Sequence, residues 1–312
     1  MKLVTFSGSQ GGGKRVGVSQ GDTIIDLAAA GEAAGLGPDA VHQFHSVKAL
    51  LGAGDAGQAA ARRALDFAAG QTGAWTVPAA KASLRAPIPR PDKIFLLAGN
   101  YMSHREEGES GPVEVAAVPE VFAKPVTSVI GPEDSIRLPG PICTKVDYEG
   151  ELGVVIGKSA RNVSKEDALS YVGGYVNFND VSGRELDPGI EREEGARSGF
   201  FDWLIGKWFD TFAAMGPYVV TADEVADPQD LTLETRVNGD RRQYGTTADM
   251  IFYIANTIEW ISKFVTLSPG DVLATGTPAG VGSVREVYLE AGDVVEVEIT
   301  GLGVLSNTVA AS

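Results

Sequence analysis

From Lys93 onward the chain is a succession of short, β-prone apolar runs, and this limits the folds open to it more than any other feature. Residues 93–98, 121–123, 152–156, 218–221, 231–237, 271–275 and 294–299 all have strand length, and the last alternates apolar with acidic residues. Helical patterns interrupt them at 164–172, where Ser164 and Asp167 fit a capping box, and at 250–264, where Ile251, Ile254, Ile258 and Ile261 share one face. There is no strand-helix alternation of the kind a doubly wound sheet requires, so the predicted class is α+β, predominantly β.

The region before Lys93 differs. Residues 1–75 read as a small module, with strands at 2–6 and 15–18 joined by the Gly11-Gly12-Gly13 turn and an Ala-rich helix over 58–69 that stops at Gly70. Residues 76–92 contain Pro78, Pro87, Pro89 and Pro91 and are expected to form a linker or an extended arm. The main domain then occupies 93–312.

A chain of 312 residues with 44% hydrophobic and 21% charged residues can bury a full core. Its net charge of −15 disfavours nucleic acid and anionic membrane as partners, and a small anionic substrate would need locally placed cations. The single Cys143 rules out an intramolecular disulfide. No apolar stretch approaches bilayer length, and no charged-then-apolar leader precedes residues 2–6, so a cytoplasmic protein is expected.

The chemistry is most visible in Lys145-Val146-Asp147-Tyr148-Glu149-Gly150-Glu151-Leu152. On a strand, Glu149 and Glu151 point to one face, where two anions repel unless a cation sits between them. Asp180 would complete an all-oxygen set suited to Mg²⁺ or Mn²⁺ rather than to Zn²⁺. The plainer alternatives are a solvated strand face for the glutamates and a turn role for Asp180, which precedes Ser182-Gly183. A helical turn would place Glu107 beside His104, giving a pair able to take a proton from water; an acidic helix start is the alternative. Lys207, set among glycine and aromatic residues, could hold a substrate carboxylate or an enolate, or be a surface lysine paired with Asp210. Thr275-Gly276-Thr277-Pro278-Ala279-Gly280 offers hydroxyls and free amides for an anion, without a Walker or dinucleotide pattern.

Taken in order, Gly99-Asn100-Tyr101 with His104 and Glu107, Phe122-Ala123-Lys124-Pro125, Asp147 to Leu152, Asn179-Asp180-Val181-Ser182 with Arg184, Gly206-Lys207 with Asp210-Thr211, Arg236-Val237-Asn238-Gly239, Asp249 to Phe252 and Thr275 to Gly282 resemble the fumarylacetoacetate hydrolase superfamily over roughly residues 93–310. The resemblance implies a mixed β-sandwich roll with a small N-terminal accessory domain, usually in a homodimer. It implies Mg²⁺, Mn²⁺ or Ca²⁺ held by Glu149, Glu151 and Asp180, a water-activating dyad of His104 and Glu107, and Lys207 over the reacting oxygens. Tyr101, Lys124, Arg184, Asp187, Thr211 and Thr277 match positions expected to contact substrate.

The resemblance further implies a metal-dependent hydrolase that cleaves a C–C bond of a 2,4-diketo acid or acylpyruvate, such as a diketo sugar acid, through a metal-stabilised enolate. Oxaloacetate decarboxylation and isomerisation of an unsaturated 2-oxo diacid of the 2-hydroxyhepta-2,4-diene-1,7-dioate type would use the same enolate. A structural metal-binding β-module is the non-enzymatic alternative. Asp187 stands where many relatives carry glutamine, and an ionised carboxylate cannot donate the hydrogen bond that the amide would. Residues 188–203, with Glu191, Arg192, Glu193, Glu194, Arg197, Phe200 and Phe201, are expected to form either a lid or a variable loop.

Overall fold

In the computed structural model, which describes residues 1–8, 12–107, 114–191 and 195–312, the apolar runs close into two packed sheets. The chain begins with β1 (Lys2–Gly8), β2 (Arg15–Gln20) and β3 (Thr23–Asp26), followed by α1 (Leu27–Ala33), α2 (Pro38–His42), α3 (Val47–Gly52) and α4 (Gly54–Ala68). The Ala-rich helix is α4, which buries Ala60, Ala61, Ala64 and Ala68 along one stripe; Gly70 just beyond it has φ 71°, where a Cβ would be strained. Gly11 lies outside the described residues. Strands β4 (Thr76–Pro78) and β5 (Ala82–Arg85) pair with β3 and β1, so the Pro-rich stretch adds strands to the sheet. Pro78 is tolerated because β4 is the edge strand and needs no further ladder donor.

The remainder runs through β6 (Ile94–Leu97), α5 (Met102–Glu106), β7 (Val121–Ala123), β8 (Val129–Ile130), β9 (Ile136–Arg137), β10 (Val146–Asp147), β11 (Gly150–Ile156), β12 (Val172–Asp180) and β13 (Ser182–Gly183). It continues through α6 (Ala196–Gly206), β14 (Ala213–Thr221), β15 (Thr232–Val237), β16 (Asp240–Thr246), α7 (Ile254–Ser262), β17 (Val272–Ala274), α8 (Gly282–Arg285), β18 (Val294–Ile299) and β19 (Gly303–Ala310). The larger, mixed sheet has the order β4-β3-β2-β1-β14-β12-β11-β17-β6-β7, and β1 against β14 makes the N-terminal module continuous with it. The smaller sheet, β16-β15-β18-β19-β9, packs across it to complete the sandwich.

Strand β11 is buried along its whole length because both faces are covered. Leu152, Val154 and Ile156 pack with Ile254, Ile258 and Ile261 of α7, whereas Val155 joins Val176, Phe178 and the N-terminal helices on the other face. Glu151 has the parity of Val155, so it projects from the second face.

Three elements differ from the expectation. The helix expected over 250–264 is confined to Ile254–Ser262, and Ile251 lies before it, its amide donating to the Asn100 carbonyl at 2.7 Å. The predicted helix at 164–172 is a single 3-10 turn over Ala168–Tyr171, because Val172 is already drawn into β12 between β11 and β14. Ser164 and Asp167 do hydrogen-bond each other, at 3.0 and 3.3 Å, but the contact only closes a turn. Strand β12 carries no strand signal in Gly173, Gly174, Asn177 and Asn179, yet all nine of its residues are buried. Gly174 is required there by close approach, since a Cβ would lie 2.4 Å from the Val220 carbonyl. Among the described residues, no helix is long and apolar enough to cross a membrane.

The C-terminal end of α6 rests on β13, where a Cβ on Gly206 would lie 2.1 Å from the Gly183 carbonyl oxygen. Gly206→Ala gains up to about 1 kcal/mol in helix propensity, but the contact is with rigid backbone and overpacking costs about 1–3 kcal/mol. A net loss of stability is expected, read as a lower urea midpoint at unchanged m; an unchanged or higher midpoint would show that α6 is free to shift.

Candidate active site

The pairing of β11 with β12 builds the site. Gly150 lies opposite Asn179, and the Asp180 amide donates to the Glu149 carbonyl at 2.8 Å, so Glu149 and Asp180 face each other across the ladder. Directly opposite residues share a face, and Glu151 lies two positions from Glu149 on that same face. The carboxylate oxygens of Glu149, Glu151 and Asp180 accordingly lie within 4.8 Å of one another, and all three residues are buried. A slip of one residue in either strand would turn Asp180 away from both glutamates.

Cations surround the triad. Lys207 donates to Glu149 Oε2 at 2.9 Å and to Asp180 Oδ2 at 2.6 Å. Lys124 donates to Asp180 Oδ1 and, at 2.8 Å, to the Val181 carbonyl. Arg184 reaches Glu149 Oε1 at 2.5 Å and Asp147 Oδ2 at 2.7 Å. Burial pushes the Glu149 carboxyl up, but Lys207 and Arg184 outweigh it and hold Glu149 well below the usual range. Glu151 makes no ion pair among the described residues: burial, then repulsion from Asp180 and Glu149, raise it well above its ordinary value against the pull of Lys207. Burial lowers Lys124 to about 8, against the pull of Asp180, while at Lys207 the attraction of Asp180 and Glu149 overcomes burial and raises it.

On the other side of the cleft, α5 brings His104 beside Glu107, with Nδ1 2.5 Å from Oε1. Asn100 fixes the start of that turn by donating to the Phe252 and Thr275 carbonyls at 3.0 and 2.8 Å. The turn expected to bind an anion holds the protein's own carboxylates. Gly276 N donates to Glu151 Oε2 at 2.8 Å, Gly280 N to Glu107 Oε2 at 2.6 Å, and Gly282 N to Asp147 Oδ1 at 2.6 Å. Gln243 ties this turn to β11, accepting from Gly150 N at 2.9 Å and donating to Thr277 Oγ1 and the Pro278 carbonyl at 2.7 and 2.8 Å.

His104, Glu149, Arg184, Lys207 and Thr277 line a cleft of about 60 Å³ together with Leu97, Phe122 and Trp203. Lys124 is brought to Asp180 rather than to the cleft wall. Three of the expected substrate contacts lie elsewhere. Tyr101 is in the core with Leu152 and Met250, and its buried hydroxyl has no hydrogen-bond partner among the described residues. Asp187 is exposed in a turn and accepts from Gly189 N at 2.9 Å. Thr211, at φ 71°, accepts from Arg137 N at 2.9 Å. Each is held by local backbone geometry that motif order does not convey. Asp147 and Gln243 were not singled out as site residues; Asp147 stood within the acidic motif, but nothing local marks Gln243. Of the expected lid, residues 192–194 lie outside the described residues and 196–203 belong to α6.

The family described as fumarylacetoacetate (FAA) hydrolase C-terminal matches residues 93–310. The chain belongs to the fumarylacetoacetate hydrolase family. It is an enzyme of that family, and the mixed sandwich with its N-terminal module has the family's form. Similar curated proteins include the oxaloacetate tautomerase fahd2 of Xenopus laevis, 40% identical over 99% of this chain and 90% of that protein. The oxaloacetate tautomerase FAHD2A of Homo sapiens is 39% identical over 99% and 91%. Both are named as mitochondrial, which lends no support to a cytoplasmic location. Among solved structures, maleylpyruvate hydrolase from Sphingobium sp. SYK-6 in complex with manganese(II) and pyruvate aligns at TM-score 0.76 and 32% identity, covering both chains fully. The 2-hydroxyhepta-2,4-diene-1,7-dioate isomerase of Mycobacterium marinum aligns at 0.71 and 30%, covering 100% of this chain and 99% of that one.

The donor set of this family member fits a hard divalent cation: three carboxylates converge, with no nitrogen or sulfur ligand among them. Glu151→Gln and Asp180→Asn should each weaken Mn²⁺ binding at least tenfold, on the order of the loss for a metal-site contact, measured by calorimetric titration; unchanged affinity would place the metal elsewhere. The raised Glu151 adds a pH effect. Glu151 holds its proton to higher pH than an ordinary carboxyl and the metal needs the ionised form, so affinity falls as pH drops below the Glu151 pKa, by up to about tenfold per unit. Titrations in buffers of different ionisation enthalpy should show proton release, and Glu151→Gln should abolish it.

Proposed function

We propose that the enzyme moves protons through an enolate in small 2-oxo diacids, with keto–enol interconversion of oxaloacetate as its leading reaction. The observation that carries this reading is the His104–Glu107 pair, a base oriented by a fixed carboxylate and set across the cleft from the acidic triad. The names of the relatives that align over nearly the whole chain support it. They favour tautomerisation, or the related isomerisation and decarboxylation, over the C–C hydrolysis expected first.

With Glu107 accepting from Nδ1, the Nε2 of His104 keeps its lone pair and takes a proton from carbon 3 of the 2-oxo acid. Glu107 then steadies the imidazolium. The electron pair left by that proton passes to the 2-oxo oxygen, and Lys207 opposes the charge that develops there. Its ammonium has three donors, of which Glu149 and Asp180 occupy two. Protonation of that oxygen gives the enol, and the reverse sequence restores the ketone. Glu149, Glu151 and Asp180 would hold a divalent cation, Mg²⁺ or Mn²⁺, which would supply Lewis acidity to the developing enolate.

C–C hydrolysis of a 2,4-diketo acid stands as the second reading, favoured by the likeness to the manganese and pyruvate complex of maleylpyruvate hydrolase. There the same dyad would deprotonate water. The homodimer belongs to the proposal too, and sedimentation equilibrium should return twice the chain mass.

His104→Ala should lower kcat/KM for oxaloacetate enol-to-keto conversion by about 10²–10⁴-fold, followed by the loss of enol absorbance, while leaving Mn²⁺ affinity unchanged. Retention of the rate within a few-fold would remove the dyad from the mechanism. Hydrolysis of an acylpyruvate at a rate exceeding oxaloacetate conversion would promote the second reading.

A further inference from the structure

The cleft beside the carboxylates is short, with about 60 Å³ of internal space. A water molecule's share of the liquid is about 30 Å³, and pockets for drug-sized ligands begin near roughly 300 Å³, so this space suits a molecule of few atoms. Its lining mixes polar groups, among them His104, Glu149, Arg184 and Lys207, with the apolar Leu97, Phe122 and Trp203. The anionic head of a 2-oxo acid is drawn to Lys207 and Arg184, and because Lys207 lies against the rings of Phe122 and Trp203, the chain that follows has the aromatic pair as a neighbour.

That pair is held in place. Trp203 and Lys207 are four residues apart, one helical turn, so they lie on the same side of the α6 end. The Trp203 ring sits edge-on to Phe122 with centroids 4.9 Å apart, and Lys207 Nζ lies 5.3 Å from the Phe122 centroid and 5.8 Å from that of Trp203. Lys207 is itself anchored to Glu149 and Asp180, and Gly206 is pressed against Gly183. The wall therefore stands at a fixed remove from the acidic triad, whereas Phe200 and Phe201 one turn earlier are exposed.

We propose that Trp203, seated on Phe122, is the residue that sets substrate length, confining the site to short 2-oxo acids. This rests on the oxo-acid reading of the site and adds the limit on chain length to it.

The test is calorimetric binding of 2-oxobutanoate and 2-oxooctanoate to the Mn²⁺-loaded wild type, Trp203→Phe and Trp203→Ala. Binding is independent of which reaction follows. The wild type should prefer the shorter acid by on the order of tenfold or more. Trp203→Ala should bring the two affinities together or invert them, and Trp203→Phe should fall between. Retained Mn²⁺ affinity certifies the fold of each variant, and if the alanine variant fails to fold, Trp203→Phe alone must shift the ratio. Equal binding of both acids by the wild type, or a ratio unmoved in a folded variant, overturns the proposal. Failure of the Mn²⁺-loaded wild type to bind a 2-oxo acid of either length overturns the oxo-acid reading itself, and the length limit with it.

Discussion

Three carboxylates buried within 4.8 Å of one another impose the constraint on which the rest of this structure depends. At 4 Å each pair of unit charges repels by about 4 kcal/mol at an effective dielectric constant of about 20. Glu149, Glu151 and Asp180 survive this because Lys207, Lys124 and Arg184 are drawn in against them. The balance is uneven: cations satisfy Glu149 and Asp180, and Glu151 is left with the Gly276 amide and a raised pKa. Protonation of Glu151 relieves that residual repulsion, and a divalent cation bound by the three carboxylates would relieve it too.

The same constraint gives meaning to the turn after β17. Its successive amides hold one carboxylate from each part of the site: Glu151 of the triad, Glu107 of the dyad, and Asp147, which steadies Arg184. Gln243 fastens this turn to Gly150, between the two glutamates. Glu107, the partner of His104, and Glu151, one member of the acidic triad, are thus held by one piece of backbone. Preorganisation of this kind allows fixed groups to act on developing charge without reorganising at the moment of reaction.

The chemistry was legible in the sequence where it rested on local spacing. Glu149 and Glu151 are two apart on a strand, and His104 and Glu107 are three apart on a helical turn, so strand and helix geometry were enough to pair them. Position relative to distant backbone was not legible. Tyr101 and Thr211 stand in the right motifs but are turned into the core or onto Arg137. Gln243 looks like any strand residue until Gly150 and Pro278 are folded against it. Strand β12 was hidden because its glycines and asparagines resemble loop chemistry, and only pairing on both sides makes them a strand.

By itself, the sequence determined the α+β class and the identity of the acidic and basic groups, because each follows from residue type and short-range period; the family was carried by the order of its motifs along residues 93–310. Tertiary structure alone decided that Asp180 stands opposite Glu149, that the N-terminal module shares the main sheet through β1 and β14, and that Trp203 lines the cleft. Strand register and helix docking are set by contacts among residues far apart in the chain. Their energies exist only when all the partners are present together.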